Sequence, residues 1–281
     1  MQITFNLLLQ NIAYYLTKFF TTRKIPSIFQ KTIINITIKL LKINKTEIKE
    51  PLSHFKTINT LFTRKLKESC RPIDNSDLSI MSPVDGLIQE FGNITNNTLI
   101  QAKDIRYKLD DLVTKNYADT FKNGSFITFY LSPKDCHLIF APCNGQIKSS
   151  CIIPGKLFPV KQSWVSSFPN LYIENERVIT LLETFYGTIA IIKVGALNVG
   201  NITTTYDKSI TTNIKQKKPI NKHYSMYYPM KKGSHLASFN LGSTVILLFQ
   251  EKSIEWSNLK QYKSINYGQK IGTFLTQNTP S

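Results

Sequence analysis

The sequence predicts an α+β protein, with a mostly β sandwich or partly closed barrel as its core and an amphipathic helical region at its N-terminus. Three observations predict it. From about residue 76 the apolar residues come in short β-branched and aromatic runs separated by Gly and Pro turns. Before residue 50 they recur instead at helical spacing. The chain has 281 residues, 42% of them hydrophobic, so it can bury a sizeable core and does not read as disordered.

The helical region comes first. Phe5, Leu8, Leu9, Ile12, Leu16 and Phe19 mark one face over residues 3–20, and Pro26 interrupts it. Phe29, Ile33, Ile36 and Leu40 mark a second face. Neither segment is an uncharged apolar run of about 20 residues, so neither reads as a membrane span. No small-residue cleavage site follows to suggest a secretory signal. Residues 1–50 hold eight Lys or Arg against Glu47 and Glu50. A basic amphipathic region suits the surface of an anionic membrane, and packing on the rest of the chain is the plainer reading of the same stripes.

The chain therefore divides into an amphipathic region (1–50), a connector punctuated by Pro51, Phe62–Arg64 and Arg71–Asp74 (51–75), and a β-rich domain (76–281). Strands are expected at Leu87–Phe91, Leu99–Ala102, Ser125–Leu131, Gln146–Ile153, Arg177–Glu183, Gly187–Val194 and Val245–Phe249. One helix is expected over Asp104–Tyr117, through Ile105, Leu109, Leu112 and Val113. Residues 203–233 are polar and Lys-rich, and are expected to contain a long mobile loop.

Composition narrows the function classes. The formal charge is +17, which calls for an anionic partner, nucleic acid or anionic lipid. No helix-turn-helix, finger or RNA-binding signature is present, which disfavours nucleic acid. Cys70, Cys136, Cys143 and Cys151 show no CxxC pairing and read as free thiols. No metal site is expected, since Cys136, His137 and Cys143 lack zinc spacing. There is no GxSxG elbow and no GxxxxGK[ST] loop.

The motif with most chemical content is Leu241-Gly242-Ser243-Thr244, directly before the run Val245–Phe249. Gly242 leaves its carbonyl open to approach, and Ser243 carries a hydroxyl beside that carbonyl. Alone, the tripeptide reads as a turn entering a core strand. Asp85, in Ser82-Pro83-Val84-Asp85-Gly86, reads alone as a turn aspartate. His137, in Ser132-Pro133-Lys134-Asp135-Cys136-His137, reads alone as structural.

Together these segments, in this order and joined by Pro142–Gly145, Asn175–Arg177 and Val194–Gly200, resemble the phosphatidylserine decarboxylases of the bacterial membrane-associated type. The resemblance covers nearly the whole chain, including the basic N-terminus, Phe62–Arg64, Arg71–Asp74 and Leu157–Val160. It implies conversion of phosphatidylserine to phosphatidylethanolamine and CO2 by a covalent pyruvoyl group made from the chain itself. Ser243 would attack the Gly242 carbonyl, splitting the chain into residues 1–242 and 243–281. Ser243 would become the pyruvoyl group, which forms a Schiff base with the substrate amine. A serine hydroxyl needs a base and an orienter to react. The resemblance places the orienting carboxylate at Asp85, and His137 where it could handle protons during decarboxylation. It further implies peripheral attachment to the cytoplasmic side of the cell membrane, phosphatidylserine as the anionic lipid partner, and a possible homodimer.

One departure stands out. The family pattern has His-x-x-His here, and this chain has His137-Leu138-Ile139-Phe140, so phenylalanine replaces the second histidine. Phenylalanine cannot accept a proton. Three readings stay open: His137 serves both steps; His223, His235 or a water held by Asp85 is the base; or processing is slow or lost. The last joins a different class, an unprocessed basic lipid-binding β protein without chemistry. His54, in the connector, receives no role.

Overall fold

Runs such as Ser125–Leu131 and Val245–Phe249 are rich in Ile, Val, Leu, Phe and Thr. These residues pack well on a pleated surface, and such runs can be buried on both faces. They become neighbouring strands at the centre of the molecule. The structure, a computed structural model, describes residues 22–102, 105–197, 201–212, 218–226, 228–239 and 243–276. The apolar stripe expected over residues 3–20 lies outside these residues.

The strands in chain order are β1 (Ser79–Met81), β2 (Gly86–Asn93), β3 (Thr98–Ala102), β4 (Ile105–Lys108), β5 (Ser125–Leu131), β6 (Leu138–Phe140), β7 (Gly145–Ile153), β8 (Arg177–Thr184), β9 (Gly187–Val194), β10 (Ile202–Thr204), β11 (Ile220–His223), β12 (Pro229–Met230), β13 (His235–Phe239), β14 (Ser243–Phe249), β15 (Ile254–Trp256), β16 (Ser264–Ile265) and β17 (Lys270–Phe274). A nine-stranded antiparallel sheet runs β11-β7-β8-β9-β14-β5-β2-β16, with β12 also on β7. Smaller sheets are β10-β13-β6, β1-β17-β15 and β3-β4. One hydrophobic cluster joins Ile127, Ile191 and Leu247 of the large sheet with Ile139, Ile202 and Phe239 of the β10-β13-β6 sheet. Among the described residues the large sheet is open and does not close into a barrel.

Every expected strand is found within a residue or two of its expected bounds. The expected helix at Asp104–Tyr117 is corrected. Ile105–Lys108 is strand β4, paired with β3, and buries Tyr107 between exposed Arg106 and Lys108. The remainder splits into α-helices Leu109–Val113 and Lys115–Phe121, broken at Thr114, whose φ is +75°. The segment 203–233, expected to contain a long loop, holds more strand than expected, and residues 213–217 and 227 of it lie outside the described residues. It contributes part of β10 together with β11 and β12, and Asp207 braces the turn between by accepting from Ser209 Oγ, Tyr224 Oη and Lys222 Nζ.

Near the N-terminus, helix α1 (Ser27–Leu41) starts after Pro26, whose ring suits the entry to a helix, and ends at Lys42 in the left-handed region. Its inward face is Gln30, Ile34 and Ile38. Ile34 and Ile38 pack on Ile43, Ile48, Phe55 and Leu61, while Gln30 Nε2 donates to the carbonyls of Ser53 and Phe55. The stripe expected from Phe29, Ile33, Ile36 and Leu40 is the opposite side, with Phe29 57%, Ile36 52% and Leu40 75% exposed.

Candidate active site

Strand β14 lies between β9 and β5, and all seven of its residues are buried. Ser243 is its first residue and pairs with Leu131, the last of β5, while Thr244 pairs with Val194, the last of β9. Gly242, on the other side of the expected cut, lies outside the described residues. Ser243 is fully buried, and its Oγ has no hydrogen-bond partner among the described residues. Buried hydroxyls are normally satisfied, so an orphan one is a chemical signal.

The segment after β5 brings His137 to this end of the sheet. Residues 132–135 make a tight turn: Asp135 N donates to Ser132 O, and Ser132 N and Oγ donate to Asp135 Oδ2. His137 then accepts at its backbone oxygen from Phe239 N at 2.9 Å. The stretch 131–137 is thus tied to both flanks of residues 240–242, at Phe239 and at Ser243. The His137 ring is fully buried and edge-on to Phe62 at 5.3 Å. Its Nδ1 lies 2.9 Å from the Asp135 carbonyl oxygen, and its Nε2 has no partner among the described residues. Burial pulls the pKa of His137 from the ordinary 6.5 down to about 4, the hydrogen bond to Asp135 opposes this, and the Arg64 charge adds to it.

That shift has a consequence for stability. A depressed folded-state pKa favours the neutral ring, so its contribution is complete above pH 6.5 and is lost as pH falls towards 4. Urea unfolding is expected to show a loss on the order of 3 kcal/mol across this window, and His137→Asn is expected to remove that part of the pH dependence.

Asp85 stands at the same end of the sheet, one strand further on. The next residue, Gly86, lies so close to β5 that a Cβ there would sit 2.5 Å from the Tyr130 carbonyl oxygen, which only glycine permits. With β5 between them, Asp85 and Ser243 are separated by two interstrand spacings, about 10 Å. The Asp85 carboxylate is fully engaged elsewhere. Arg71 Nε donates to Oδ1 at 2.9 Å, Arg71 Nη2 to Oδ2 at 2.7 Å, and Tyr267 N to Oδ1 at 2.9 Å. Glu47 Oε2 also accepts from Arg71 Nη2. Burial opposes the charge on Arg71, but hydrogen bonds and charge from Asp85 and Glu47 outweigh it and leave the guanidinium more basic than usual. Sequence reasoning had Arg71–Asp74 only as a motif and missed this ion pair, since Arg71 and Asp85 lie on separate segments either side of β1 and meet only through the tertiary fold.

Phe140 stacks on Tyr267 with ring centroids 4.0 Å apart. Both line a cavity of about 520 Å³, along with Leu66, Arg71, Leu138 and His235. His235 is opposite Phe140 on β13, with Nε2 within hydrogen-bond distance of Ser238 Oγ and the Ala237 carbonyl. It is therefore the length of β13 away from Phe239. His223 is exposed on β11 at the far edge of the large sheet. Ser243 and His137 are thus both buried and linked through the backbone on either side of residues 240–242, Asp85 is held on Arg71, and His235 and His223 stand apart.

Comparison with known proteins shows the family. Residues 58–273 match the family model of phosphatidylserine decarboxylase. A phosphatidylserine decarboxylase proenzyme of Brevibacillus brevis is 37% identical over 87% of this chain and 89% of its own. Proteins of the same name from Coxiella burnetii (38% identical; 85% of this chain, 86% of the relative) and Escherichia coli (36%; 96% and 87%) are similar to a like degree. With the motif order, the buried Ser243 and these matches in hand, the chain is an enzyme of the phosphatidylserine decarboxylase family.

Proposed function

We propose that this chain decarboxylates phosphatidylserine to phosphatidylethanolamine, using a pyruvoyl group that it makes from Ser243 by cutting its own Gly242–Ser243 bond. The observation that carries this reading is the Ser243 hydroxyl, fully buried and without a partner among the described residues, at the head of a central strand. Such a residue fits the precursor of the group: its Oγ is uncommitted, and the pairing of β14 along both edges fixes its backbone. When present, the pyruvoyl group supplies the electron sink for the carbon–carbon bond that breaks. The chain's own part is to exclude water around residue 243 and to supply a buried imidazole, His137, as a proton carrier.

Intact mass under denaturing conditions tests the reading, together with CO2 release from phosphatidylserine vesicles. Two chains, the smaller carrying a borohydride-trappable carbonyl, are expected. A single full-length mass with no such carbonyl would overturn the proposal and favour a lipid-binding protein without chemistry.

Access to a lipid substrate gives the outward face of α1 a use. No helix among the described residues is long and apolar enough to cross a membrane. Ile28 is 80% exposed, and it joins Phe29, Ile36 and Leu40 in an apolar strip on a chain of net charge +17. This supports peripheral docking on the anionic cytoplasmic surface of the cell membrane. Changing Phe29, Ile36 and Leu40 together to serine removes side chains worth about 1.5–3 kcal/mol each when fully buried. Binding to anionic liposomes is expected to fall at least tenfold, and high salt to weaken what remains. Unchanged cosedimentation would count against docking through this face.

A further inference from the structure

We infer that His137, oriented by the backbone carbonyl of Asp135, is the base that takes the Ser243 proton during chain cleavage, and that Asp85 acts instead as the structural partner of Arg71. The inference rests on the reading that the chain cuts itself at Gly242–Ser243.

A general base needs a free lone pair towards the nucleophile and a partner that fixes its other side. His137 has both. A carbonyl oxygen only accepts, so the nitrogen 2.9 Å from Asp135 O, Nδ1, must carry the hydrogen. The lone pair therefore sits on Nε2, which is buried and unpartnered, as is Ser243 Oγ. Ser243 Oγ, with Thr244 Oγ1 next to it, and His137 Nε2 are buried polar atoms without partners among the described residues, the hydroxyls able to donate and Nε2 an acceptor. The backbone brackets them: Phe239 N is bonded to His137 O on one side of residues 240–242, and Ser243 is paired with Leu131 on the other.

The other candidates are turned away. Both Asp85 oxygens are taken by Arg71, and Oδ1 by Tyr267 N as well. Position 140 holds phenylalanine, with its ring on Tyr267. His235 Nε2 is engaged within its own strand, at Ala237 O and Ser238 Oγ. Lys193 pairs with Val245, two residues beyond Ser243, and so shares its sheet face. Its side-chain nitrogen, however, is held by Thr180 Oγ1 and Ile191 O, and Ile191 pairs with Leu247, further from Ser243.

The step balances within the chain. Ser243 Oγ–H gives its proton to His137 Nε2 as Oγ bonds to the Gly242 carbonyl carbon. The Gly242–Ser243 C–N bond then breaks, and Nε2 returns the proton to the departing nitrogen, leaving an ester and a free amine. Transfer of the Ser243 α-proton to water breaks the Cβ–Oγ bond and expels the Gly242 carboxylate; the dehydroalanine formed takes a proton at Cβ to become an imine, and a water molecule then replaces the nitrogen as ammonia leaves.

The test follows the fraction of chain cut over time by intact mass, in the full-length protein. His137→Asn keeps an N–H for the Asp135 carbonyl but has no basic lone pair, so it is expected to cut at least about a hundredfold more slowly at an unchanged melting temperature. Phe140→His and His235→Ala are expected to cut within about threefold of the parent rate. A well-folded His137→Asn that cuts at the parent rate would overturn the inference while leaving self-cleavage intact. A hundredfold acceleration in Phe140→His would overturn it as well, since position 140 would then have lacked the base; this variant decides the matter even where His137 variants fail to fold. A parent protein that remains one chain would instead defeat the self-cleavage reading beneath it.

Discussion

Ser243→Ala is expected to remain one chain of 32.2 kDa and to release no CO2 from phosphatidylserine. Alanine has no oxygen to attack Gly242, so neither the cut nor the cofactor can form. The variant is expected to be no less stable than the unprocessed parent. Removing a buried hydroxyl that has no partner relieves a desolvation cost of about 1–3 kcal/mol, against a small loss of packing. Intact mass, a decarboxylation assay and a thermal melt check the three statements. Cleavage between residues 242 and 243 in this variant would remove the chemical basis of the scheme.

Arg71→Met is expected to have the largest effect on stability. Arg71 is the only side chain seen to pair with the Asp85 carboxylate among the described residues, and both are buried. Asp85 would be left beside Cys136 and Tyr267 with a single backbone N–H. Removing one partner of a buried ion pair costs about 3–5 kcal/mol, a large share of the 5–15 kcal/mol that usually holds a domain together. A urea titration should show the loss, and Asp85→Asn in the same protein should recover part of it. An unchanged midpoint in Arg71→Met would mean that water replaces the guanidinium.

The sequence carried the strands well because each combines β-branched runs with turn residues, and both signals are local. Asp104–Tyr117 failed because its apolar spacing fits a helix in part, while pairing with β3 and the left-handed Thr114 decide otherwise. In α1 the period was legible but not the orientation. The stripes Phe29–Ile33–Ile36–Leu40 and Gln30–Ile34–Ile38 repeat alike, and only the tertiary partners of Ile34 and Ile38 choose between them. At the site, motif order singles out Ser243, Asp85 and His137, and all three are buried. The capture of Asp85 by Arg71 and the carbonyl partner of His137 were not legible, because each depends on a contact that no periodicity encodes.

The central place of β14 makes the proposed cut a one-way event. β14 pairs with β5 along all seven residues and with β9 along six, and β16 and β17 continue the grip on β2 and β1. A chain cut before Ser243 keeps these ladders, so the native state barely registers the break. The unfolded state does register it, because two fragments now diffuse apart where one tethered chain had stayed together. Refolding of the uncut chain should be independent of concentration, whereas recovery of the cut protein should slow on dilution and improve with added 243–281 fragment. The order of events follows: this sheet must be woven while the chain is still whole.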